Sequence, residues 1–386
     1  MNLVFVPVLT IHSLVVFFNT IGACWEGFAN CNVLAEDQAP AILGETRGSG
    51  IFNFEEVTNP FKEYNIIYAP YCSGDVWIGD NLVVEPIFTD DPVTVFSPIG
   101  GRNHRGIRNL SVTLELAKHQ FPNARSVTLM GHSAGGVGAS TLGAALVRKI
   151  FGNDINFTIF SDAGPTAINL DEGDSRTIAD AAARASDWRT LTFFPDSCVD
   201  DGRCVDDVVP GGAAIGFADW YLEHDPTVRM AFYSTMWDVT QRFYNRLISA
   251  PLPADDLVGS LNFQTLLLAS YGNSDVDIGF GEVLSVKYPG RFNSFFAASL
   301  GFTIQQVPLI FTHGLVQDDA FYSTALGRGD ISLSDWTTRF LDEDEDWENV
   351  IVVDDALCFT VVPLLCADAN AAALYYCTYF SDLCLS

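Results

Sequence analysis

An α/β fold, with a mainly parallel sheet covered by helices on both faces, is what this sequence predicts, and three observations predict it. Short β-branched or aromatic runs alternate with helical stretches across residues 1–165, the pattern of strands that reach a parallel neighbour through a helical crossover. A glycine-rich turn, Gly-His-Ser-Ala-Gly-Gly at 131–136, joins one such run to one such helix. The chain has 386 residues, 48% of them hydrophobic, enough to bury a large core as a single domain over 1–386.

The opening stretch MNLVFVPVLTIHSLVVFF is apolar enough to suggest a leader, and Ile21-Gly-Ala-Cys24 has the look of a lipoprotein cleavage site. No Lys or Arg occurs before Arg47, however, so the positive region that orients a leader is missing. Pro7 and His12 divide the stretch into MNLVFVPVL and SLVVFF, two runs of strand length, and we read both as buried strands. YNIIYAPYC (64–72) is the next strand. RGIRNLSVTLELAKHQ (105–120) follows, with Ile107, Leu110, Leu114 and Ala117 at helical spacing. Then come the strand SVTLM (126–130), the amphipathic helix VGASTLGAALVRKI and the strand FTIFSD (157–162). Residues 165–255 lose this rhythm to Asp, Gly and Ala-rich loops and tryptophan-bearing helices, which reads as a cap inserted over the sheet. The alternation resumes with QVPLIFT (306–312) and SLSDWTTRFL (332–341), before a cysteine-rich tail at 350–386. No later run reaches the length of a membrane span.

Charge and cysteines bound the function. With 48 acidic and 20 basic side chains the formal net charge is −28, a field that repels nucleic acid and anionic lipid and argues against a strongly anionic polymer as substrate. Nine cysteines, several in close pairs such as Cys24 with Cys31 and Cys198 with Cys204, favour an oxidising, extracytoplasmic setting. None of these pairs lies beside the histidines a zinc site would want, so disulfides are expected rather than a metal. Two sequons, Asn109-Leu-Ser and Asn156-Phe-Thr, permit glycosylation.

The motif at 131–136 has the context that a G-x-S-x-G nucleophile elbow requires, a strand before and a helix after, and this narrows the fold to an α/β-hydrolase-like one. Ser133 is the candidate nucleophile, and the backbone N–H of Ala134 at the helix start a candidate oxyanion donor. A serine hydroxyl needs a base, and in this fold the chain order is Ser, acid, His. Of six histidines, only His224 and His313 follow the serine. His224 lies in the irregular stretch, whereas His313 follows the run QVPLIFT directly, which favours His313. The acid stays open among three residues. Asp275 and Asp277 precede the last predicted strand, and Asp162 ends the strand after the elbow helix, a position some hydrolases use.

Taken together, LVVFFNTIGACWEGFANC (14–31), NPFKEYNIIYAPYCSGDVWIGD (59–80), SVTLMGHSAGG (126–136), FSDAG (160–164) and THGLVQDDAFY (312–322) resemble the pectin acetylesterase/Notum family. The resemblance implies an α/β-hydrolase-like fold, no metal or other cofactor, and removal of acyl groups from oxygen. It places the family's serine on Ser133, its histidine on His313 and its aspartate near Asp275. The family's oxyanion loop falls on residues 20–24, so Gly22 and Ala23 become oxyanion donors. Thr20 and Ile21 stand where the family has glycines, and Ile21 cannot take the positive φ that glycine can. The family pattern also has strands and a cysteine upstream of this loop, so either a truncated start or a naturally short protein is expected.

The resulting expectation is a secreted carboxylic-ester hydrolase with a Ser-His-Asp triad and an acyl-enzyme intermediate. Its partner would be an acylated small molecule or polysaccharide, with Trp25 and Trp77 lining the acyl pocket unless they are core residues. Cys24 and Cys31 would form a disulfide that braces the oxyanion loop. Two rivals stand beside it: an inactive binding protein that keeps the fold, supported by Thr20 and Ile21, and a lipase or peptidase on the same scaffold.

Overall fold

The computed structural model describes residues 4–6, 12–19, 48–83, 102–164, 188–204, 212–235, 284–297, 314–322 and 331–352. In chain order the strands are β1 (Val4–Val6), β2 (Ser13–Phe18), β3 (Asn65–Ala69), β4 (Asn81–Val83), β5 (Arg102–His104), β6 (Ser126–His132), β7 (Asn156–Asp162), β8 (Arg229–Thr235), β9 (Phe292–Ala297) and β10 (Val350–Val352). The helices are α1 (Gly106–Gln120), α2 (Ala134–Gly138), α3 (Ala144–Phe151), α4 (Asp196–Asp200), α5 (Gly212–His224) and α6 (Leu333–Asp342). Eight strands form one sheet in the order β1-β3-β2-β6-β7-β8-β9-β10, and β4 pairs with β5 alone. Within the large sheet β1 runs antiparallel to β3, and every other pairing is parallel.

The sequence of β2 shows why the sheet has two buried faces. Leu14, Val16 and Phe18 enter one apolar cluster and Val15 and Phe17 the other, because successive side chains of a strand point to opposite sides. A run without polar alternation is what a strand covered on both faces requires. β6 divides likewise, Val127 and Leu129 to the first cluster and Met130 to the second. The first cluster takes in α1, α2, α3 and α5, and the second takes in the turn at 51–52, residues 315–321 and α6. Phe17 packs edge-on to Phe52 at 5.4 Å and stacks on Tyr68 at 5.7 Å, so truncating it to alanine would cost about 3–5 kcal/mol.

Both N-terminal runs contain strands, β1 and β2. α6 starts where Ser332 accepts a hydrogen bond from the Asp335 N–H at 2.9 Å, an N-cap worth about 1 kcal/mol. α1 has no side-chain cap of its own. Instead the Gly106 N–H donates to Asp75 Oδ2 at 2.7 Å, a cap supplied from a loop 31 residues earlier.

Within 165–255 only residues 188–204 and 212–235 are described. Of these, α5 packs into the first cluster and β8 is an interior strand between β7 and β9. The strand escapes a reading by apolar pattern because it opens on Arg229, which is nevertheless buried, its guanidinium 5.3 Å from the centre of the Phe340 ring. β9 was not anticipated either, since its run FNSFFA carries two polar residues. Asn293 donates to the Trp347 carbonyl at 2.8 Å and the Ser294 N–H to Asn349 at 2.7 Å, so both are satisfied inside the sheet. QVPLIFT lies outside the described residues. A disulfide joins Cys198, within α4, to Cys204 just after it, and both are fully buried in the first cluster. No helix among the described residues is long and apolar enough to cross a membrane.

Candidate active site

Ser133 stands between the end of β6 and the start of α2 with φ 53° and ψ −121°. A non-glycine residue there is strained and persists only where its surroundings hold it. Two hydrogen bonds do so. The Ser133 N–H donates to the Asp162 carbonyl at 2.7 Å, and the Ser133 carbonyl accepts from the Val137 N–H at 3.1 Å. The glycines around it are sterically required. A Cβ on Gly131 would lie 2.0 Å from the Gly135 carbonyl oxygen, and one on Gly135 would lie 2.0 Å from that of Phe18. The strand, the helix and β2 therefore meet at backbone distance, the arrangement that projects a serine from a sharp turn.

Beyond the elbow the predicted single helix is broken. α2 passes through a π-helical turn at Ala139–Gly143 before α3, and Thr141 has φ −113° and ψ −114°. The Ser140 and Thr141 hydroxyls donate back to the Gly136 and Val137 carbonyls at 2.8 and 2.6 Å, and such back-bonding bends helices. Ala134 is the first residue of α2. A helix-start N–H has no carbonyl four residues earlier inside the helix, so it is available to an oxyanion.

Asp162 ends β7 with no exposed surface. Its carboxylate accepts from His132 Nδ1 at 2.9 Å, from the Leu315 N–H at 3.1 and 3.2 Å, and from the Val316 N–H at 3.2 Å. Gly314, with φ +74°, lies so close that an added Cβ would stand 2.2 Å from His132 Cε1 and 2.6 Å from Asp162 Oδ2. Residues 314–316 thus rest directly on the elbow. Among the described residues no imidazole, His132 included, hydrogen-bonds to Ser133 Oγ.

His313 is covalently joined to Gly314 but lies outside the described residues, as do Asp275, Asp277, Gly22, Ala23, Trp25, Cys24 and Cys31. His224, the other histidine that follows the serine, ends α5, donates from Nδ1 to the Trp220 carbonyl at 2.7 Å and stacks on the Trp220 ring at 4.1 Å. α5 leads into the start of β8, so His224 sits at the sheet end opposite Ser133, a strand length of roughly 20 Å away.

Of the two candidate pocket tryptophans, Trp77 is among the described residues. It is fully buried, packed 4.9 Å from Phe18 and 5.6 Å from Tyr71, centroid to centroid. A buried indole needs a partner for its N–H, and Trp77 finds the Asn19 carbonyl at 3.0 Å. Asn19 immediately precedes residues 20–24, and its N–H donates to the Ala69 carbonyl at 3.1 Å. Trp77 and Val76 both have positive φ, 70° and 47°. Buried Asp75 holds this turn by accepting from Ser73 Oγ at 2.5 Å, the Trp77 N–H at 3.2 Å and the Gly106 N–H at 2.7 Å. Burial pushes the Asp75 carboxyl up to about 6, against the opposing pull of those hydrogen bonds.

A pectinacetylesterase family model matches residues 14–179, which holds the elbow, Asp75, Trp77 and Asp162. The palmitoleoyl-protein carboxylesterase NOTUM of Schmidtea mediterranea is 33% identical over 118 residues, covering 28% of this chain and 20% of that protein. The chain therefore spans about a fifth of the length of that curated relative. Two crystal forms of the Wnt deacylase Notum from Drosophila superpose over 91% of this chain and 90% of theirs with TM-score 0.52, at 14% and 15% identity. At that identity the superposition speaks for the fold, which is α/β-hydrolase-like. The chain is similar to the pectinacetylesterase and Notum proteins in the sequence that builds the elbow and in the architecture that carries it.

Proposed function

We propose that this protein is a serine carboxylesterase that removes O-linked acyl groups by a two-step acyl-enzyme mechanism. The observation that carries the proposal is Ser133 at positive φ on a strand-to-helix turn, inside the region matched by the pectinacetylesterase family. In this reading His313 takes the Ser133 proton as Oγ attacks the ester carbonyl, then returns it to the leaving alcohol. Asp275 orients the imidazole and stabilises its charged form, with Asp277 the neighbouring alternative. The N–H groups of Gly22, Ala23 and Ala134 hold the developing oxyanion. Water repeats the sequence in reverse and releases the acid.

The substrate we assign is an acyl ester on a neutral or lightly charged glycan. Acyl removal is what the similar proteins' names describe, and a net charge of −28 disfavours an anionic polymer. A secreted setting fits the Cys198–Cys204 disulfide, and Cys24 with Cys31 would make a second one beside the oxyanion loop. Tryptic mapping without reductant should recover that pair linked.

A panel of p-nitrophenyl esters from acetate to palmitate, run beside a peptide amide, tests the proposal together with Ser133→Ala. Ester hydrolysis that falls at least about a thousandfold in the variant supports it. A variant keeping more than about a tenth of the activity removes Ser133 from the mechanism. Amide cleavage at the ester rate makes the protein a peptidase, and no hydrolysis by the native chain makes it a binding protein.

A further inference from the structure

We infer that Asp162 is a positioning residue that fixes the histidine-bearing segment against the nucleophile, a role distinct from that of the triad acid. The inference rests on the assignment of Ser133 and His313 proposed above. Two features of Asp162 meet in one place. Its main-chain carbonyl accepts the Ser133 N–H at 2.7 Å. Its side-chain oxygens accept the N–H groups of Leu315 and Val316, the second and third residues after His313, at 3.1 to 3.2 Å. One buried residue therefore ties the backbone of the nucleophile to the backbone that follows the base. The carboxylate thereby holds residues 153 and 154 positions beyond it in sequence.

Among the described residues, the bonding of that carboxylate differs from that of an acid in a triad. Such an acid accepts a hydrogen bond from the imidazole of the base. The imidazole on Asp162 belongs to His132, at 2.9 Å, and that ring makes no hydrogen bond to Ser133 Oγ. Among the described residues, its other hydrogen bonds come from the two amides. His132 and Gly314 complete the clamp. The ring packs against Gly314 so closely that any side chain there would displace it, since an added Cβ would lie 2.2 and 2.3 Å from Cε1 and Nδ1. The segment is held from its other side too, by the Ile51 N–H on the Val316 carbonyl at 2.8 Å and by Ser49 Oγ on the Gln317 carbonyl at 2.9 Å. Those contacts keep 315–317 in the fold when the carboxylate is altered, and leave Asp162 to set its place relative to Ser133.

The test is Asp162→Asn in the full chain, read by amide hydrogen exchange over 314–322 and by steady-state ester kinetics. Asparagine keeps the main-chain bond to Ser133 but offers one acceptor oxygen in place of two. The expected result is faster exchange at Leu315 and Val316 with β6 and β7 still protected, and kcat lower by about ten to a hundredfold, the scale of a displacement near 1 Å. KM should change less than threefold, roughly, because acyl binding is not touched. The pH-rate profile should keep its acid limb, since the base retains its own acid. Gly314→Ala, which pushes the segment off the same clamp and leaves the carboxylate intact, should reproduce the exchange and kcat changes. It decides the matter if Asp162→Asn does not fold. The inference is overturned if both exchange and kcat stay at the native level, or if Asp162→Asn loses about ten thousandfold with an altered acid limb, which would make Asp162 the acid. Loss of the Ser133 assignment would show separately, as activity surviving Ser133→Ala, and would leave the exchange result standing.

Discussion

Two buried aspartates organise the two turns of this molecule that matter most, and they do so over different distances. Asp75 accepts from Ser73, Trp77 and Gly106, closing the loop after β3 onto the start of α1 within 31 residues of itself. Asp162 accepts from His132 on the neighbouring strand and from Leu315 and Val316 half a chain away. Both carboxylates have no exposed surface. The first shapes the scaffold under the elbow, and the second joins the two chain segments from which nucleophile and base are proposed to come. Loss of a scaffold bond should register as stability, and loss of a bond between catalytic segments as rate.

The largest expected effect sets the scale for that comparison. His313→Ala should lower ester hydrolysis at least about a thousandfold, because base and nucleophile act as a unit, while His224→Ala at the opposite sheet end should stay within about twofold of native. If His224→Ala is the damaging change, the segment beside Asp162 does not carry the base. Next, Asp275→Asn should cost more rate than Asp162→Asn, on the order of ten thousandfold for the residue that fixes the tautomer of the base. The reverse ranking would move the acid to the end of β7.

Asp75 should behave differently from both. Its carboxyl titrates at about 6 in the folded chain against 3.8 when unfolded, so between those values the folded state binds more protons. Its contribution to stability is then fully present below pH 3.8 and falls as pH rises through about 6. In urea titrations native protein should gain stability relative to Asp75→Asn as pH drops from 7 to 4, with kcat of the folded variant nearly native. A rate loss matching that of Asp162→Asn would erase the distinction between the two sites. The smallest effect should come from reducing Cys198–Cys204, which closes a short loop. A loss of about 2–3 kcal/mol is expected, measured by calorimetry with and without reductant, without change in KM.

The same contrast in distance governs what the sequence makes legible. β2, β3, β6 and β7 are readable because continuous apolar runs between turns need nothing from elsewhere to be strands, and α1 because Ile107, Leu110, Leu114 and Ala117 share one face. The elbow is local too, so Ser133 and Ala134 follow from six consecutive residues. β8 and β9 are not readable, because Arg229, Asn293 and Ser294 are buried only by virtue of Phe340, Trp347 and Asn349. That the Trp77 N–H bonds the Asn19 carbonyl, 58 residues away in sequence, is likewise not legible from the sequence. The double use of Asp162 depends on amides 153 and 154 residues downstream, and no spacing rule reaches that far. The FSDAG stretch and the glycine after His313 were its only traces.

The central claim, that the elbow serine is the nucleophile, is tested most directly by covalent capture. A fluorophosphonate, which reacts with an activated serine, should label native protein once, and tryptic mass mapping should place the adduct on the peptide holding Ser133. Labelling should fall to background in Ser133→Ala and slow strongly in His313→Ala. Undiminished ester hydrolysis after full exposure to the reagent, or an adduct that maps to another residue while activity is lost, would contradict the account.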